Sequence, residues 1–88
     1  MTALADAVAA LLVATEATLR ESHLEPVSRT PDTVAELLRA GEDVVAYETL
    51  CDNLYEDDVD APVHLLHAVR SAAREARADV TRIAPLLW

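Results

Sequence analysis

Apolar positions recur at three- and four-residue spacing along almost the whole chain, the signature of amphipathic helices. Leu4, Val8, Leu11, Leu12, Thr15 and Leu19 share one face, with Asp6, Glu16 and Arg20 opposite. This pattern predicts a first helix from Thr2 to about His23. Leu24 to Arg29, broken by Pro26, reads as a loop. Thr30-Pro31-Asp32 is a start signal, with a Thr cap, Pro at the first helical position and an acid at the positive end of the dipole. Val34, Leu37 and Leu38 then carry a second helix from about Pro31 to Ala40. Gly41, the only glycine, reads as its C-terminal cap in a left-handed conformation.

The third helix is expected from Glu42 to Asp57. At about 100° per residue, Val44, Tyr47, Leu50, Cys51, Leu54 and Tyr55 share a broad apolar arc. Glu48, Asp52 and Glu56 stack on another face, with Val45 in its middle. Asp60-Ala61-Pro62 repeats the start signal for a fourth helix reaching about Ala78. Its inner face is Leu65, Leu66, Val69, Ala72, Ala73, Ala76 and Val80, and Arg70, Arg74 and Arg77 line the outer one. In the tail, Asp79 to Trp88, a turn is expected before Pro85, with Leu86-Leu87-Trp88 packing back. No segment alternates with the period of a strand. The expected fold is all-α, a small four-helix bundle with a short C-terminal turn and tail, forming one domain over residues 1–88.

Composition narrows the partner class. The net charge is −9, from sixteen acids against seven basic residues, all of them Arg. Such a surface suits neither a phosphate backbone nor an anionic membrane, so neither is the expected partner. It suits a cationic protein, or serves solubility alone. Hydrophobic residues make up 52% of the chain without any Phe, so the core must be Leu, Val and Ala. Cys51 is the only cysteine, which excludes an intrachain disulfide and points to a reducing compartment. The start lacks a basic n-region, acids interrupt its apolar run, and no 18 uninterrupted apolar residues occur. The chain is therefore expected to be cytoplasmic. Absence of Lys, Phe and Gln beside abundant Ala, Arg, Val and Asp hints at a GC-rich bacterial genome.

Among candidate constellations, the ladder Glu48/Asp52/Glu56 comes first. Like charges four apart on a helix cost a few tenths of a kcal/mol each, and no basic residue lies between Arg39 and Arg70. Asp57, Asp58 and Asp60 extend the acidic patch past the helix end, where the dipole disfavours them. A patch that costs stability is a candidate for recruiting a basic partner. The competing reading is that Arg70, Arg74 and Arg77 fold over the ladder and neutralise it. Val45, ringed by acids, fits an interface centre with a polar rim. Tyr55 is expected to pack its ring on the bundle and leave its hydroxyl wet.

Other chemistries find little support. His64 and His67, with Cys51 or His23, have the residue types of a zinc site, but Cys51 falls in the apolar arc and no Cys-x-x-Cys occurs. A buried thiol also makes a poor nucleophile. Asp57-Asp58-Val59-Asp60 lacks the ligand alternation and glycine of an EF-hand. No serine stands in the Asp-Ser-Leu setting of an acyl carrier protein. The chain is expected not to be an enzyme and to hold no cofactor.

Gly41-Glu42, Ala46-Tyr47-Glu48-Thr49-Leu50-Cys51, and Leu54-Tyr55-Glu56 with Asp58-Val59 together resemble the core motif of small bacterial immunity proteins of the MafI type. The resemblance covers roughly Leu37 to Leu66. Tyr47 stands where a Leu is expected. It implies a cytoplasmic helical protein that binds and neutralises a cognate polymorphic toxin, often a nuclease. The expected partner-binding residues are Val45, Glu48, Asp52, Glu56, Asp57 and Asp58. Two further readings are a self-association or regulatory domain, as monomer or homodimer, and an acidic mimic of nucleic acid.

Overall fold

The computed structural model describes residues 2–21 and 29–87. Four α-helices, α1 (Ala3–Glu21), α2 (Thr30–Arg39), α3 (Asp43–Glu56) and α4 (Val63–Glu75), are followed by two 3-10 turns, Val80–Arg82 and Ala84–Leu87. The architecture is the expected all-helical bundle, with the periodic segments setting each helix to within a few residues. Most of the loop expected from Leu24 to Arg29, the end expected for the first helix near His23, and the packing expected of Trp88 lie outside the described residues.

α1 is the hub, packing against α2, α3 and α4, while α2 also packs along α3. The stripe read from α1 is buried in full: Leu4, Val8, Leu11, Leu12, Thr15 and Leu19. It meets Val34 of α2, Tyr47, Leu50 and Leu54 of α3, and Leu66, Val69 and Ala73 of α4. α4 stops short of its expected end, so Ala76 becomes its exposed C-cap and leaves the inner face. Thr15 sits in the core because its hydroxyl donates back to the Leu11 carbonyl at 2.8 Å, the usual way a helix satisfies an inward Thr. No buried side-chain N or O atom among the described residues lacks a hydrogen-bond partner. Thr30 departs from its expected capping role. It is the first residue of α2, and its hydroxyl donates to Oδ1 of Asn53 on α3 at 3.1 Å.

Three helices end in the same way. After α2, the Gly41 and Glu42 amides bond the Leu38 and Leu37 carbonyls; after α3, those of Asp58 and Val59 bond Tyr55 and Leu54; after α4, those of Arg77 and Ala78 bond Arg74 and Ala73. Each pair is a Schellman motif, which needs a left-handed residue at its turn. Gly41, with φ 78°, fills that position at no steric cost. Asp58 (φ 53°) and Arg77 (φ 59°) fill it as non-glycine residues. An L side chain there costs roughly 1–2 kcal/mol, partly offset by the extra freedom glycine gains on unfolding. Arg77→Gly should therefore raise stability by about 0.5–1 kcal/mol, roughly 3–6 °C in Tm for a domain of this size. A melt by circular dichroism reads this directly; a lower Tm would contradict the left-handed turn.

The tail closes the bundle against α3 and α4. Asp79 starts it, accepting on one carboxylate oxygen from the Thr81 amide at 3.0 Å and the Thr81 hydroxyl at 2.6 Å. These two hydrogen bonds hold the Asp79 carboxyl below its ordinary pKa. The Tyr47 hydroxyl, reaching out from the core, donates to the Asp79 carbonyl at 2.6 Å. Burial pushes that hydroxyl well above its usual range, so it stays a donor. Ile83 is fully buried, and Leu86 and Leu87 pack partly buried against the core.

Candidate partner-binding face

The site is the outward face of α3, and its exposure follows from the same periodicity that builds the core. Ala46, Tyr47, Leu50, Cys51 and Leu54 point inward. The residues between them must then face solvent: Val45 is 43% exposed, Tyr55 62% and Val44 41%. Glu56 is also exposed, and Glu48 and Asp52 are partly so. Val44 and Tyr55 correct the sequence reading, which placed both in the apolar arc. They lie at the arc's edge, and the Tyr55 ring is left largely in water instead of packed on the bundle.

Glu48, Asp52 and Glu56 line one exposed stripe with Val45 beside them. Asp57 follows as the C-cap and Asp58 as the left-handed residue after it. The structure thus brings all six expected residues onto one helix face and its end, where the negative end of the helix dipole adds to their charge. How far the chain neutralises this face itself is decided by its cations. Arg70, Arg74 and Arg77 do not fold over it: all three are exposed, and α4 packs on α1 and the tail. Arg82, on the first 3-10 turn, instead donates from Nη1 to Oδ2 of Asp52. Among the described residues no basic side chain lies within 4 Å of a carboxylate oxygen of Glu48 or Glu56. The middle rung of the ladder is paired and the outer two are not.

Arg82 and Ile83 are the residues that sequence reading missed. A readable signal existed in Asp79-Val80-Thr81, an acid two residues before a Thr, which marks a side-chain-capped turn. That turn sets Arg82 toward α3 and Ile83 into the core. A second pair found only in the structure is Arg20 with Asp32, 2.8 Å apart across α1 and α2. The Arg20 guanidinium holds the Asp32 carboxyl below its usual range.

Among the described residues no three metal-ligating side chains come together. His64 and His67 are exposed on α4, Cys51 is buried on α3, and His23 lies outside the described residues. Burial pushes the Cys51 thiol up to about 12, so it is protonated at neutral pH. Its reaction with a disulfide reagent should be at least about a hundredfold slower in the native protein than in denaturant, because only the opened state exposes a thiolate. Equal rates in the two conditions would contradict the burial.

Beyond the α3 face, a groove of about 160 Å3 lies between the end of α3 and the second 3-10 turn, lined by residues including Leu54, Tyr55 and Asp58. Another, of about 480 Å3, lies between α1 and α4 and is lined mainly by alanines. Among the described residues no helix is long and apolar enough to cross a membrane. Comparison with protein families, with curated proteins and with solved structures finds no match.

Proposed function

We propose that this chain is an inhibitory binding module for a basic protein surface, and specifically an immunity protein that neutralises a cognate bacterial toxin through the α3 face. The observation that carries the reading is the outer pair of the ladder. Among the described residues no basic side chain pairs with Glu48 or Glu56, in a chain that has seven arginines. Their cost to the helix is not recovered by an ion pair among the described residues. Charges so placed raise association rates with a basic partner and select against neutral ones. Val45, exposed one turn before Glu48 at the start of the stripe, supplies apolar contact area bordered by acids.

A nuclease toxin fits this face because a surface built for phosphate is basic. The resemblance carried by the motif from Gly41 to Val59 also supports the immunity class, through Glu42, Glu48 and Glu56, since Gly41, Leu50, Cys51 and Leu54 are accounted for by capping and packing. Inhibition follows when the docked α3 face covers the basic residues that toxin chemistry requires.

The test is genetic and biochemical together. The C-terminal domain of the protein encoded immediately upstream is expressed with and without this chain. Rescue of growth with co-purification is the expected result. Toxicity without rescue, combined with a tight homodimer by light scattering, would move the function to self-association.

A further inference from the structure

The groove at the end of α3 has a construction that the acid ladder does not explain. Its accessible lining is mainly polar, with the buried Leu54 and Val59 beneath it and the half-buried Pro85 and Leu86 of the tail opposite. Tyr55 stands at its margin with its ring largely in water. Asp58 and Asp60, both exposed, complete the lining. Among the described residues no basic side chain pairs with either carboxylate. At about 160 Å3 the groove is below the size of small-molecule sites, which run from about 300 Å3, and it is too small for a helix or strand. It has room for one long side chain.

Resting on the reading of α3 as a face for a basic protein, we infer that this groove receives a single arginine side chain of the partner. The aliphatic stem lies along Pro85 and Leu86, the guanidinium stacks on the Tyr55 ring, and its N–H groups donate to Asp58 and Asp60. Each part of the groove matches one part of that residue. Arginine carries a long apolar stem beside its charge. Its planar, weakly hydrated cation stacks on aromatic faces and donates in a fork to carboxylates, where the compact ammonium of lysine does neither as well. The ladder would then steer the partner in, and the groove would fix its register.

Acetyl-arginine methylamide is titrated into isotope-labelled chain and followed by NMR, with the lysine and norleucine analogues alongside. Expected are saturable shifts confined to Tyr55, Asp58, Val59 and Leu86, with a dissociation constant on the order of 1–10 mM. Lysine should bind at least threefold more weakly and norleucine not at all. Two variants separate binding from folding. Tyr55→Ala removes an exposed ring, and Asp58→Gly relieves a left-handed residue, so both should stay folded and the second should melt higher. Each should weaken arginine binding by threefold or more. Shifts spread along all the α3 acids, no saturation, or unchanged binding in both variants would overturn the groove. If the groove binds arginine but no toxin is captured, the inference stands and the immunity reading falls. If Glu48 and Glu56 govern capture while the groove is inert, the reverse holds.

Discussion

Replacing Ile83 by alanine is expected to destabilise the protein by about 3 kcal/mol, the largest effect of any single change outside the helices. Ile83 is fully buried although it sits between two 3-10 turns. Ile-to-Ala truncations in well-packed cores cost about 2–5 kcal/mol, part lost transfer energy and part residual cavity. A domain of this length has only about 4–13 kcal/mol in total, so the Tm should fall by roughly 12–24 °C. The neighbouring change gives the contrast. Arg82→Ala removes an ion pair with Asp52 whose side chains are 40% and 44% exposed, and exposed pairs contribute about 0–1 kcal/mol. Chemical denaturation of the two variants ranks apolar burial against charge in holding the tail. An Ile83 loss below about 1 kcal/mol would mean that the tail lies outside the cooperative core.

The same two residues show why the fold was readable in the helices and unreadable in the tail. Leu4 through Leu19 announce α1 because a helix repeats its inward position every three to four residues, and six agreeing positions leave no alternative phase. Ile83 is one apolar residue in a segment with no period, and only the position of Asp79, fixed by Tyr47 from 32 residues away, turns it inward. Arg82 is equally silent. Its guanidinium finds Asp52 because the tail lies across α3, whereas Arg70, Arg74 and Arg77, which look better placed in sequence, sit on a helix that packs elsewhere. The acidic face itself was legible, since placing Leu50 and Leu54 inward obliges Glu48, Asp52 and Glu56 to face out. Tyr55 was misjudged because it lies at the edge of the apolar arc. There the extent of neighbouring helices decides exposure, and periodicity is blind to that. Capping was misjudged at Thr30 because the helix starts one residue earlier than read: Arg29 is the N-cap, and Thr30, already helical, donates its hydroxyl to Asn53 across the α2–α3 contact.

The double change Glu48→Lys with Glu56→Lys, Asp52 being left in place, should abolish capture of the basic partner while leaving the protein folded and slightly more stable. Keeping Asp52 matters because its loss would also release Arg82 and disturb the tail, so that a binding defect would have two causes. In the double variant, each introduced ammonium stands four residues from Asp52, and two repulsive pairs become attractive ones. Each such exchange is worth a few tenths of a kcal/mol on an exposed helix, and a cation in the last turn also suits the negative end of α3. Neither glutamate contributes to the core, so nothing in the packing opposes the change. For the complex the sign is opposite. Two like-charge contacts replace two attractive ones, and a loss of about 1.4 kcal/mol at each site would weaken binding about a hundredfold. Much of the loss should appear as a slower association rate whose dependence on salt flattens, because steering charges act before contact. Surface plasmon resonance across a salt series, beside a thermal melt, reads both effects on one sample. Normal capture by a folded double variant would remove the acidic face from the mechanism and leave the motif of α3 as a device of packing and capping.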